Sequence, residues 1–275
     1  MPPGDVAVII PAWNEAGRIG ATVRAARTLT GADLLIVVDD GSADATAKLA
    51  AEAGAHVVRH ASNRGKAAAM ETGAEAVRLI ESMAVEALAG DPPAGAGGGV
   101  SGGVPPTVRH LLFLDADLAA SAADAGPLVE PIRAGTADLA IAVFSSRVRK
   151  GGFGVVVTTS AAGTTRAIGW HPAQPLNGIR CLTRAAFTAA LPLAAGWGAE
   201  TGMTIDLARQ GMRITEVEVP LSHRATGNDW RSQLHRLHQF VDVTRALAVR
   251  DPGVQRLRAA TLSRARVAGA GKLRS

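Results

Sequence analysis

The sequence predicts an α/β fold: a doubly wound, mostly parallel sheet closed by a C-terminal helix. Three observations predict it. Short, uniformly apolar runs alternate with helical stretches, as in a parallel sheet covered on both faces. Polar residues gather just past the ends of three of those runs, where open parallel sheets bind ligands. The last patterned element, Trp230 to Val249, carries Leu234, Leu237, Val241 and Leu247 at helical spacing.

In order, Val6 to Ile10 is a first strand broken by Pro11, and Asn14-Glu15 lead into a helix from about Ala16 to Leu29. Leu34 to Val38 is a second strand ending in Asp39-Asp40-Gly41-Ser42, and Asp44 or Ser42 can cap a helix over Ala45 to Ala53. His56 to Arg59 is a short third strand, Ser62 to Lys66 a loop, and Ala67 to about Leu88 a long helix. Residues 90–106 are a low-complexity Gly/Pro insertion that cannot pack a core and read as a flexible surface loop.

Leu111 to Leu114 is a buried strand that ends in Asp115-Ala-Asp117. Beyond it come a helix over Ala122 to Ala134, a strand over Ala137 to Phe144, a basic Gly-rich loop from Ser145 to Gly154, and a helix over Thr158 to Gly169. Asn177 to Leu182 and Ile214 to Val219 are strands flanking a helix over Thr201 to Gln210. The expected organisation is one domain over 1–250, with residues 1–118 binding the donor and 119–250 the acceptor, then a basic tail over 251–275.

At 275 residues, 47% of them hydrophobic, the chain can bury a large core. A single cysteine, Cys181, excludes an internal disulfide framework and fits a reducing cytoplasm. The N-terminus lacks the pattern of a signal peptide and no run is long enough to span a bilayer, so a cytoplasmic location is expected. The formal charge of +5 is concentrated after Arg231, which suits a solvated tail or contact with the inner, anionic membrane surface. Without aromatic interleaving, a zinc signature or a helix-turn-helix, nucleic acid is not an expected partner. A homodimer is left open.

The Asp115-x-Asp117 pair carries the chemistry. Residues two apart in a strand leave on the same side, and two adjacent carboxylates repel unless a cation lies between them. Such oxygen ligands suit Mg²⁺ or Mn²⁺, with a diphosphate completing the shell. PAWNEAGRIG replaces the glycines a dinucleotide fold needs after its first strand, and no Walker loop occurs.

PAWNE, VVDDGSADAT, NRGKAAAMETG and FLDADL, in that order and spacing, resemble the nucleotide-sugar-binding half of family 2 glycosyltransferases with the A-type, nucleotide-diphospho-sugar transferase fold. QPLNGIRCLTRAAF, GWGAETGMTIDLARQG and VPLSHRATG are similar to dolichol-phosphate-mannose-synthase-like and glucosyl-3-phosphoglycerate-synthase-like enzymes. The resemblance runs over about residues 5–245. It implies a hexosyltransferase that uses a nucleotide-diphosphate sugar. Pro11, Glu15, Asp39 and Asp40 would line the nucleoside, with Asp40 on the base. Lys66 would reach the nucleotide, Asp115 the ribose, and Asn177-Gly178 the donor sugar, while Asp117 and His223 would ligate the metal.

Glu200 is the implied catalytic acid, the base toward an acceptor hydroxyl in inverting relatives and an orienter of the sugar in retaining ones. Thr201 after it departs from the common Glu-Asp pair and tilts the likeness toward the glucosyl-3-phosphoglycerate-synthase-like branch, with the stereochemical outcome open. Arg147, Arg149, Lys150 and Gly152 form a loop suited to a phosphorylated acceptor, phosphoglycerate-like or polyprenyl phosphate. A nucleotide-sugar pyrophosphorylase and a non-catalytic nucleotide-sugar-binding scaffold are the alternatives. PAWNE is unlike the Gly-rich signature the first would carry, and intact acidic residues argue against the second.

Overall fold

The computed structural model describes residues 4–89, 108–144, 154–221, 230–251 and 253. The Gly/Pro insertion, the basic loop, the segment holding His223 and the tail beyond 253 lie outside the described residues. Seven strands form one sheet in the order β3-β2-β1-β4-β6-β5-β7: β1 is Val6–Ala12, β2 Ala32–Asp39, β3 His56–Arg59, β4 His110–Phe113, β5 Leu139–Phe144, β6 Arg180–Leu182 and β7 Ile214–Val219. All pairings are parallel except those of β6, which runs antiparallel to β4 and to β5. The sheet is mostly parallel and doubly wound, as the apolar runs predict.

Alternation along β1 shows why its strand must be apolar throughout. Val6, Val8 and Ile10 face a core built with α1 (Ile19–Ala26) and α2 (Thr46–Glu52), together with Leu128 and Ile132. Ala7 and Ile9 face a second core with α3 (Lys66–Ala89), α6 (Arg184–Ala189) and α7 (Ala199–Arg209). A strand buried on both faces has no polar face to show. Cys181 belongs to the first core, where burial pushes its thiol up and keeps it inert.

Helix limits differ from the sequence expectation in a few places. The single helix expected over Ala122 to Ala134 is a 3₁₀ segment, Ala119–Leu128, followed by the one-turn α4, Glu130–Arg133. Pro127 and Pro131 each remove a backbone donor there, so a continuous α ladder cannot form. The strand expected from Asn177 begins only at Arg180, because Asn177 turns its side-chain oxygen back onto the Ile179 N–H. Asp44, rather than Ser42, accepts the Thr46 N–H at the start of α2. The helix expected over Thr158 to Gly169 is α5, Gly154–Ile168, which packs with α7 and with α8 (Trp230–Arg250). In α8 the buried positions include Gln239, Val243 and Ala246, with Val241 and Leu247 half-buried.

Candidate active site

Three loops meet beyond the carboxyl ends of β1, β2 and β4. The first is fastened to the second by its backbone. Asn14 adopts a positive φ of 55°, which Asn tolerates better than most residues, and its N–H donates to Ser42 Oγ at 2.9 Å. Its side-chain oxygen accepts the Ala43 N–H at 2.9 Å, and Glu15 N–H donates to Thr46 Oγ1 at 2.8 Å. Pro11 lies two residues past the last β1–β4 pair, Ile9 with Phe113, where its missing donor interrupts no pairing to β4.

Asp39 and Asp40 are both buried, and their carboxylates organise loops. Asp39 accepts the Ser42 N–H at 3.0 Å and pairs with Arg59 Nε at 3.1 Å. Asp40 accepts the N–H groups of Arg64 and Gly65, each at 2.8 Å, and lies 2.6 Å from His60 Nδ1. It thereby brackets the loop that delivers Lys66. Gly41, at φ 73°, sits so close to that loop that a Cβ would fall 2.6 Å from the Ser62 carbonyl carbon.

Asp115 and Asp117 leave β4 half-buried. Thr22 of α1 holds their loop from below: its hydroxyl donates to Ala116 O at 2.8 Å and accepts the Ala119 N–H at 2.9 Å. Arg18 Nη1 donates to Asp117 O at 3.1 Å. Ala119 takes a positive φ of 50°, a strained conformation that these bonds stabilise.

The Lys66 ammonium joins the halves. It lies 2.7 Å from Asp115 Oδ1 and 3.1 Å from Glu200 Oε1. Burial alone would pull its pKa down, but the two carboxylates outweigh that and hold it well above the ordinary lysine range. Glu200, in the first turn of α7, is 1% exposed; its Oε1 meets the Lys66 ammonium, while Oε2 has no hydrogen-bond partner among the described residues. Buried acceptors left this way are uncommon and mark a position where a ligand donor can bind. Gly178 closes the site: a Cβ there would lie 2.0 Å from Lys66 Nζ and 2.9 Å from Asp115 Oδ1.

Of the residues singled out from sequence, the structure thus brings Lys66, Asp115, Gly178 and Glu200 into one cluster. Asn177 is a buried brace, donating to Ala142 O at 2.7 Å. Thr201, after the acid, shares a 2.6 Å hydrogen bond with Ser160 of α5. His223, Arg147, Arg149, Lys150 and Gly152 lie outside the described residues. Sequence reading missed Thr22, His60 and Arg180. Thr22 left one signal, a hydroxyl on the otherwise apolar face of α1; Arg180 left none, since a lone Arg beside a short apolar run reads as a strand end.

No group of three side chains able to hold a metal ion is present among the described residues. The donor chemistry still suits a hard divalent cation, since Asp115 and Asp117 supply carboxylate oxygens two residues apart.

The sheet order with its antiparallel β6, and a site at the carboxyl ends, define the A-type nucleotide-diphospho-sugar transferase fold. Glucosyl-3-phosphoglycerate synthase of Mycobacterium tuberculosis, solved with Mn²⁺, uridine diphosphate and phosphoglyceric acid, superposes with a TM-score of 0.65 at 24% identity, covering 90% of this chain and 78% of that one. The same enzyme with Mn²⁺, UDP-glucose and phosphoglyceric acid gives a TM-score of 0.61, covering 90% of this chain and 81% of that one. Residues 7–78 match the family model Glycosyl transferase family 2. Glycosyltransferase AglJ of Haloferax volcanii is 29% identical over 231 residues, covering 82% of this chain. The chain spans 66% of that relative's length, a little under two thirds.

Proposed function

We propose that this protein is a glycosyltransferase that moves a hexose from a nucleotide-diphosphate sugar to a phosphorylated acceptor. The observation that carries the reading is the cluster of half-buried Lys66 and Asp115 with buried Glu200 against Gly178, at the strand ends where a donor binds. Asp117, with His223, would hold a divalent cation, which supplies a Lewis acid that neutralises charge on the departing diphosphate.

The chain's own residues account for the rest. The loops fastened by Asn14 and Asp40 form a rigid floor for the nucleoside, so little ordering is needed when the donor arrives. The absence of a side chain at Gly178 lets Lys66 and Asp115 pack directly against the turn assigned to the donor sugar. Lys66, already charged and held between two carboxylates, stabilises negative charge without reorganising. Glu200, buried and with Oε2 lacking a hydrogen-bond donor, is placed to accept one from a sugar or acceptor hydroxyl. The solved relative's phosphoglyceric acid supports a phosphorylated acceptor over a neutral one.

The test is a thermal-shift screen of UDP-, GDP- and ADP-sugars with and without Mn²⁺, followed by turnover with 3-phosphoglycerate and with a polyprenyl phosphate. A donor at a hundred times its Kd adds about 2.7 kcal/mol, a readable shift. Stabilisation by one nucleotide class that needs Mn²⁺ and is lost in Asp117→Ala supports the reading. A folded protein that no donor stabilises sinks it.

A further inference from the structure

Arg180 opens the antiparallel strand β6, paired in register with Phe113 of β4 and Ile141 of β5, and it is wholly buried. No carboxylate accepts a hydrogen bond from it among the described residues; its donors go to two backbone carbonyls instead. Nη2 and Nε donate to Asn177 O at 2.5 and 3.2 Å, and Nη1 donates to Glu200 O at 3.2 Å, with Met203 Sδ at 3.7 Å. A neutral side chain could make one such bond at far lower desolvation cost. Only a planar fork of donors reaches both carbonyls at once.

The two carbonyls belong to opposite walls of the site. Asn177 precedes Gly178, the residue pressed against Lys66 and Asp115. Glu200 carries the buried acid on the other side of the same ammonium. Burial pulls the guanidinium's pKa down, and the Glu200 and Asp115 charges offset it, so Lys66 and Arg180 together balance two carboxylates.

We infer that Arg180 is a positioning residue for the transfer: its guanidinium clamps the Asn177-Gly178 turn to the first turn of α7 and so fixes the sugar-facing wall against Glu200. The inference rests on the proposed role of Glu200. It concerns alignment, so its loss belongs in kcat and not in donor binding, which the β1 and β2 loops provide.

The experiment compares Arg180→Lys and Arg180→Met with wild type, using UDP-glucose, 3-phosphoglycerate and Mn²⁺. Amide hydrogen exchange is followed in parallel. For folded variants, the expected result is a fall in kcat of about 10- to 100-fold, with donor KM changed less than about threefold. Exchange should rise together in residues 174–182 and 198–204 while α1 and α2 stay unchanged. The Lys variant should fail like the Met variant, because charge without the fork cannot span both carbonyls.

Unchanged kcat, a loss confined to KM, full rescue by Lys, or exchange that does not rise in both segments would each overturn the clamp. Collapse of both variants on folding would overturn it too, by making Arg180 a residue of the fold alone. Glu200→Gln separates the two ideas. Retained transfer in that variant refutes the role of Glu200, whereas the exchange data judge the clamp without any turnover.

Discussion

Lys66 is the residue on which most of the local electrostatics depends. Its raised pKa means that its contribution to stability is fully present below the ordinary lysine value and is lost only as pH rises through the higher folded value. It therefore stays an ammonium throughout the neutral and mildly alkaline range. Lys66→Met leaves Asp115 and Glu200 facing one another without it, and kcat/KM is expected to fall by about 100-fold, equal to ~2.7 kcal/mol of transition-state stabilisation. Steady-state kinetics beside a thermal melt measures it, and full activity in a folded variant would remove Lys66 from the site. Gly178→Ala tests the same point by steric means. The added carbon must displace the ammonium or the turn, so the variant should melt near wild type yet lose at least tenfold in kcat/KM, and near-wild-type kinetics would refute the close approach.

Among the elements, α1 acts on the Asp115-Ala-Asp117 loop by a single hydroxyl. Thr22→Val keeps the side-chain shape but leaves Ala116 O and Ala119 N–H without that partner, in a loop already strained at Ala119. A loss of about 2 kcal/mol is expected, a Tm drop of roughly 4–8 °C, along with weaker Mn²⁺-dependent donor binding by calorimetry. Donor affinity equal to wild type would show that α1 holds the fold and not the site. The central strands β1, β2 and β4 were legible in the sequence because their buried runs are apolar on both faces; the 3₁₀ segment after β4 was not, because two prolines cut a helical pattern that periodicity alone suggests. The six-residue α6 was missed for its shortness. Asp40, Asp115 and Glu200 could be singled out from motif and spacing, but not what holds them: His60 meets Asp40 and Arg180 meets the Glu200 carbonyl from chain segments whose folding together no local pattern announces.

Across the whole molecule, ion pairs gather at the end of the sheet opposite the site. Arg133 of α4 hydrogen-bonds Asp5 in front of β1 and holds its carboxyl below the ordinary carboxylate value; Arg213 does the same for Asp138 in front of β5. A depressed carboxyl contributes stability above its unfolded pKa and loses it as pH falls through the folded one. Urea midpoints should therefore decline as pH is lowered from about 5 toward 2, and Asp5→Asn should flatten that decline. An identical pH slope in the variant would assign the acid sensitivity to other groups. Both pairs are partly exposed, so each is a small contribution.

The strand order has a consequence for how the chain is made. β4 and β5 are not paired with each other; three residues of β6 are the link between them in the sheet. The four strands β3-β2-β1-β4 draw only on residues up to Phe113, so they can pair while the ribosome is still adding the rest. Lys66 and Asp115 are then in place, but Gly178, Arg180 and Glu200 have yet to emerge. On the proposed reading, a nascent chain arrested before β6 would own the loops assigned to the nucleoside without those assigned to the sugar. That fragment would hold half of the Lys66-centred cluster and lack the other half, so on this reading turnover is the last property the chain acquires during synthesis.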